Sequence, residues 1–339
     1  MTNGLQDIKR ILIINLAFIG DVLLSTPVAR ALRGAFPQAE IDMLVMPLTV
    51  PIARGNPYID NVLAYDKRGR HKKIGQLLKL IADLRRRRYD LAVTTNFAPR
   101  GAMLAWAAGI RERVGYDAQH AGWFLTRAAS SCRPVARHEA ENYLDVLKPL
   151  GITTEDTSLA LTVDPAADEA MRHKVPLEAD KPVVLICPVG SYPQKSWTTA
   201  GYAELIGSLT PRAQCFLIGA AKEEGQLIAI NAAAGQQAAV LAGALSLGEL
   251  AALIAAAALV VSVDTGPMHM AVALGTPVVA LFGPTDPAKW GPRGPRDVVL
   301  TQQVDCSPCW GRTDCSDCRC MNTIDAAAVI AAADKLLDG

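Results

Sequence analysis

Several ionisable residues stand where the chain turns from strand to helix, and they set the chemistry it can do. Asp264 ends the β-branched run 259–263, and Thr265, Gly266 and Pro267 turn the chain into a short helix over 268–274. The first N–H groups of a helix have no intrahelical partner, and its dipole favours negative charge there, so this turn is suited to an anion such as a phosphate. Gly266 lets an anion approach the backbone. Pro267 fits the first helical position but removes a donor, which leaves the N–H groups of Gly266, Met268 and His269. Lys195 occupies a second such loop, after the strand 183–187 and Pro188-Val189-Gly190-Ser191, where an ammonium suits a diphosphate. Glu223 and Glu224 follow the strand 214–218; a carboxylate there either accepts from ribose hydroxyls or complements the helix dipole. Asp21 follows the strand 11–14 and the loop 17–20. It reads as a helix N-cap or as a carboxylate at the carboxyl end of a central strand, where open α/β sheets place their sites. Each motif alone also fits an ordinary strand–turn–helix without a ligand.

These residues are positioned by a regular alternation of elements. Strands are predicted at 11–14, 41–45, 62–65 and 89–94, with helices over 21–33, 74–84, 102–108 and 138–150, the last stopped by Gly151. The polar stretch 164–180, with Pro165 and Pro176, marks a crossover between domains. The second half repeats strand and helix from 183 to 282, with Ser246 and Glu249 forming a capping box and Gly275 closing the helix after Asp264. No G-x-G-x-x-G follows the first strand of either half, which weighs against a dinucleotide-dependent dehydrogenase. A closing helix is expected over 325–337.

Composition narrows the partners. A chain of 339 residues, half of them hydrophobic, has room for two domains with sizeable cores. The formal net charge of +1 argues against nucleic acid as a bulk partner, although the charge is unevenly spread. Two basic clusters, Lys67-Arg68-Gly69-Arg70-His71-Lys72-Lys73 and Arg85 to Arg88, flank the helix at 74–84. They form either a solvated surface or a site for anionic groups, such as a phosphorylated acceptor or a membrane surface. The longest apolar run, 250–261, has 12 residues and is too short to span a bilayer. Lys9-Arg10 before 11–20 imitates a signal peptide, but Asn15 interrupts the run and Asp21 follows it, so strand-then-helix explains it better. A cytoplasmic location is expected, with its cysteines as thiols or metal ligands. Cys306, Cys309, Cys315 and Cys318 form two C-x-x-C pairs separated by five residues, which reads as a four-thiolate zinc site or as a loop of free thiols.

Taken together, several segments resemble glycosyltransferase family 9, the lipopolysaccharide heptosyltransferases. They are Gly20 to Pro27, Lys195-Ser196-Trp197, Asp264 to His269, Phe282 to Pro287, and the tail from Cys306 to Met321, in the right order over nearly the whole chain. The resemblance implies an α/β protein of GT-B fold, with two Rossmann-like domains facing across a cleft. The N-terminal domain, 1–165, would bind the acceptor, with the C-terminal helix 326–339 packing back on it. The C-terminal domain, 166–325, would bind the nucleotide-sugar donor. It implies inverting, metal-independent transfer of heptose from ADP-heptose to the inner core of a lipid A–core oligosaccharide, with no cofactor, no nucleic acid, and peripheral contact with the cytoplasmic face of the inner membrane. Carried over, Asp21 is the general base and Lys195 the catalytic contact to the donor phosphate. Ser191, Glu223, Asp264, Thr265, Gly266, Met268 and His269 join it in the donor site, and Arg68, Arg70, Lys72 and Lys73 meet the acceptor. A leaving diphosphate needs no protonation, so one carboxylate suffices, unlike the pair used in glycoside hydrolysis. No D-x-D tripeptide occurs, which agrees with metal-independent transfer. Alternatives are a family relative with another nucleotide sugar, or a non-catalytic nucleotide-sugar-binding protein.

Overall fold

The computed structural model describes residues 7–131, 137–311, 315 and 317–338. The chain divides into two compact units, Met1–Thr162 and Val163–Gly339. In the first unit the strands are β1 (Arg10–Asn15), β2 (Glu40–Val45), β3 (Asn61–Ala64), β4 (Leu91–Thr94), β5 (Glu112–Tyr116) and β6 (Arg127–Ala129). Its helices are α1 (Ile19–Leu24), α2 (Thr26–Ala35), α3 (Val50–Arg54), α4 (Ile74–Arg86), α5 (Arg100–Ala107) and α6 (Glu139–Leu144). The strands form one parallel sheet in the order β3-β2-β1-β4-β5-β6. Strand order therefore reverses between β1 and β4, the place where doubly wound sheets leave a crevice at their carboxyl ends. β1 and β4 are buried apolar runs, as expected of strands covered on both faces. Leu80 and Leu84 of α4 and Leu104 and Ala105 of α5 share one core cluster with Leu12 and Ile14 of β1, so both helices cover the same side of the sheet.

The second unit repeats the plan. Its helices are α7 (Pro165–Lys174), α8 (Thr199–Leu209), α9 (Glu224–Ala233), α10 (Leu247–Ala256), α11 (Gly266–Leu274), α12 (Pro287–Trp290), α13 (Arg319–Asn322) and α14 (Ala326–Asp338). Its strands are β7 (Val183–Cys187), β8 (Gln214–Gly219), β9 (Ala239–Ala242), β10 (Leu259–Val263), β11 (Val278–Phe282) and β12 (Val298–Thr301). They run parallel in the order β12-β11-β10-β7-β8-β9, with the reversal between β7 and β10. α11 ends as its sequence predicts, with Gly275 in the left-handed region at φ 77°.

α14 belongs to the second unit, where Val329 and Ala333 are fully buried in one cluster with Leu205, Leu209, Val261 and Val279. Arg212, which follows α8, pairs with Asp334 and Asp338 on its outer side. The apolar stripe of α14 therefore packs on α8 and its own sheet.

Candidate active site

Asp21 stands at the carboxyl end of β1, but not as the cap of a long helix. The predicted helix over 21–33 is two helices, α1 and α2, meeting at Ser25. Pro27 offers no N–H to continue the first, and the Ser25 and Thr26 hydroxyls donate back to the carbonyls of Val22 and Leu23. Phe18 is the N-cap, and Asp21 sits three residues on, its Oδ2 accepting from the Phe18 N–H at 3.3 Å. This is the reciprocal half of a capping box, since Phe18 has no acceptor to return. The Tyr143 hydroxyl donates to Asp21 Oδ1 at 2.7 Å. Beneath lies the fully buried Asn15, whose Nδ2 donates to the Asp21 carbonyl and to Ser25 Oγ. Across the switch point from β4, Asn96 accepts from the Leu16 N–H at 2.6 Å and donates to Asn15 Oδ1. The carboxylate is oriented by two donors yet half exposed, with a lone pair left on each oxygen.

Cations gather on the loop after β3. Lys67 Nζ donates to the Leu16 carbonyl at 3.0 Å. Its pKa is held below the usual lysine value, first by burial and then by the charges of Arg100 and Arg68. Arg70, Lys72 and Lys73 are exposed on and beside a short turn at Arg70–Lys72. Asp66 orders that turn by accepting from the N–H groups of Gly69 and Arg70, and its pKa is lowered by those bonds, Arg70 first.

In the second unit the expected donor residues gather at the carboxyl ends of β7, β8 and β10. Lys195, on a short turn at Pro193–Lys195, is buried, and its Nζ donates to Asp264 Oδ2 at 2.7 Å and to the Asp264 carbonyl at 3.1 Å. Its ammonium lies 4.9 Å from the centre of the Tyr192 ring. Gly190 makes this possible, because a Cβ there would come within 2.6 Å of the lysine stem. His269 Nε2 is 3.9 Å from Asp264 Oδ1. Burial first, then the negative charge of Asp264, pushes the Tyr192 phenol up to about 12. Lys195 and Asp264 therefore straddle the switch point between β7 and β10, just as Asp21 and Asn96 straddle the one between β1 and β4.

A sequence profile of glycosyltransferase family 9 (heptosyltransferase) matches residues 77–319. Lipopolysaccharide heptosyltransferase 3 of Escherichia coli is 30% identical over 94% of this chain and 97% of its own. The chain belongs to glycosyltransferase family 9. A family 9 glycosyltransferase of Veillonella parvula superposes with a TM-score of 0.85 at 26% identity, over 97% of both chains. The E. coli ADP-heptose lps heptosyltransferase II superposes at 0.83 and 25% identity, over 97% of this chain and 98% of the other. The two parallel α/β units are those of the GT-B class, and this family 9 member is a glycosyltransferase.

Not every expected site residue of this glycosyltransferase points to a ligand. Met268 is fully buried in the core, so only its backbone N–H remains available at the start of α11. Glu223 turns back on its own loop, its Oε2 accepting from the Ala220 N–H at 2.8 Å. Ser191 is exposed on the loop after β7. Cys306, Cys309, Cys315 and Cys318, read from the sequence as a four-thiolate zinc site or as free thiols, form no disulfide. Among the described residues no group of three or more Cys, His, Asp or Glu gathers to hold a metal. Cys315 instead accepts from the Cys318 N–H, closing a local turn. Residues 312–314 and 316 lie outside the described residues.

Asn15, Asn96, Tyr143 and Tyr192 escape the sequence reading. Asn15 and Asn96 had a signal, a buried-strand pattern ending in an amide at both β1 and β4. Tyr143 had none, being 122 residues from Asp21 in sequence.

Proposed function

We propose that the protein transfers heptose from ADP-heptose to the inner core of lipopolysaccharide, inverting the anomeric centre and using no metal to bridge the diphosphate. The family supports a glycosyl transfer, and the names of the relatives supply the donor and the acceptor. The observation that carries the reading is that each sheet presents its ionisable group at its own switch point: a half-exposed carboxylate, Asp21, in one and a buried ammonium, Lys195, in the other. Those are the two charges that a base-assisted displacement of a diphosphate needs.

In this scheme Asp21 takes the proton of the acceptor hydroxyl as that oxygen bonds to the anomeric carbon. The bond from that carbon to the diphosphate breaks, and its electron pair leaves with ADP. Lys195 and the N–H groups that open α11 at Gly266 stabilise the growing charge. Asp264, Thr265 and His269 line the nucleotide side, with Ser191 at its rim and Glu223 shaping the β8 loop. Lys67, Arg68, Arg70, Arg100, Lys72 and Lys73 hold the anionic groups of the acceptor near Asp21. The absence of a D-x-D pair from the sequence supports transfer without a bridging metal.

Isothermal titration of the full chain with ADP, UDP and GDP, without added metal, tests the proposal. Selective ADP binding, retained in Asp21→Ala while transfer is abolished, is the expected result. Preference for UDP or GDP discards the heptose donor, and undiminished turnover in Asp21→Ala discards the base.

A further inference from the structure

Three adjacent strands of the first unit each run into a loop that carries an aromatic residue: Phe18 after β1, Phe97 after β4 and Trp123 after β5. The strands are parallel, so all three loops lie at the carboxyl edge that holds Asp21. Neighbouring strands are about 4.8 Å apart, which sets β1 and β5 about 10 Å from each other.

The outer two aromatics break local rules. Phe18 is the N-cap of α1, a position that favours Ser, Thr, Asp or Asn. Its ring caps nothing and is 64% exposed. The bond from its N–H to Asp21 Oδ2 holds the root of this side chain beside the carboxylate. Trp123 is 84% exposed on the short turn Ala121–Phe124. The chain enters that turn through Gln119 and His120, at φ 49° and 65°. Among the described residues this is the one place where two successive non-glycine residues take the left-handed conformation. A strained backbone leading to an indole in water points to a ligand rather than to packing. The turn is nonetheless firmly held. Arg113 Nε donates to the Phe124 carbonyl at 2.6 Å, and the Phe124 ring meets Trp106 edge-on at 5.7 Å. Phe97 is half-buried, its ring edge-on to that of the buried Tyr116 at 5.0 Å.

Polar side chains surround these rings: Asp117, Gln119 and His120 are exposed on the loop that carries Trp123. A protein partner would require a continuous apolar centre, and here aromatic and polar groups alternate. A sugar ring requires that mixture. It has a face of C–H groups and a rim of hydroxyls. The C–H face suits the negative face of an aromatic ring, and the hydroxyls suit carboxylates, amides and imidazoles. Stacking of this kind involves no net charge, so it is separate from the work of the cations on the loop after β3.

We infer that Phe18, Phe97 and Trp123 form an aromatic track for the sugar rings of the acceptor, with Phe18 stacking on the sugar whose hydroxyl meets Asp21 and Trp123 on a neighbouring sugar. The inference rests on the proposed transfer to an oligosaccharide and adds the residues that orient its uncharged faces. Phe18 and Trp123 bind and align; neither exchanges a proton.

The test is steady-state transfer from ADP-heptose to a core oligosaccharide freed of its acyl chains, beside titration with ADP. No lipid surface is then present. Phe18→Ala and Trp123→Ala should each raise the acceptor KM about tenfold, with a far smaller change in kcat. ADP affinity and melting temperature should stay near those of the parent. Phe18→Tyr and Trp123→Phe should recover most of the loss, whereas Phe18→Leu, apolar but without a ring, should not. The loss should persist at high salt, because the stacked faces carry no charge. The track is overturned, and the proposed transfer left standing, if the parent is active and either alanine variant keeps its acceptor KM. The same holds if Phe18→Leu matches the parent or if the defects vanish at high salt. A parent that binds ADP and transfers nothing to the oligosaccharide overturns the proposed acceptor and the track with it.

Discussion

The two units share one topology and differ in sign. The first is basic overall and places a carboxylate, Asp21, at its switch point; the second is acidic overall and places an ammonium, Lys195, at its own. In each the key residue opposes the charge of the unit that carries it. The two groups also differ in how they are held. Asp21 is half exposed and fixed by neutral donors, the Tyr143 hydroxyl and the Phe18 N–H. Lys195 is buried and paired with a full charge. A common fold thus supplies the address, and local side chains give each switch point the charge that its proposed role requires.

Breaking the carboxylate side should have the largest effect. Asp21→Asn is expected to lower kcat by about 10²- to 10⁴-fold with ADP affinity unchanged, measured by steady-state kinetics beside titration. On the other side, Lys195→Met leaves Asp264 buried without its partner, which costs about 3–5 kcal/mol in denaturant unfolding. Adding Asp264→Asn should restore most of that stability and none of the ADP affinity, which separates the structural role of the pair from its ligand role. A smaller effect sharpens the contrast in positioning. Tyr143→Phe removes one donor to a charged acceptor, so kcat should fall about tenfold while the KM for the donor stays put.

The smallest effect concerns pH. Glu249 is held below the usual glutamate value of 4.5 by Lys174, then by the Ser246 N–H. Because its folded value is depressed, its contribution to stability is complete above 4.5 and drains as pH falls through the folded value. Glu249→Gln should therefore lower Tm by about 2–4 °C at neutral pH, and the gap to the parent should close in acid.

Much of this was legible in the residues. β7 and β10 occupy the predicted bounds because each is a short apolar run, rich in β-branched residues, closed by Pro or Asp. The closing αL glycine of α11 and the capping box at Ser246 were equally readable, being local. The break between α1 and α2 was not, because the Ser25 and Thr26 hydroxyls decide it by donating to the preceding turn. The helix expected over 138–150 likewise gives way after Leu144 to a tighter 3-10 stretch, Asp145–Leu150, that contains Pro149. At the site, Asp21 and Lys195 could be nominated from strand ends. Tyr143 over Asp21 and Asp264 against Lys195 are tertiary pairings, 122 and 69 residues apart, that no local pattern encodes.

The close pairing of Lys195 with Asp264 also bears on how fast a nucleotide is captured. An unpaired ammonium in a cleft projects a monopole and draws anions in from a Debye length away; a salt-bridged one projects a dipole, whose field decays within a few ångströms. On the proposed donor role, association here is expected to be governed by orientation more than by attraction, at on-rates of about 10⁵–10⁶ M⁻¹s⁻¹ that change little with ionic strength. Inorganic phosphate and stray polyanions gain no head start over the nucleotide, and discrimination passes to residence time.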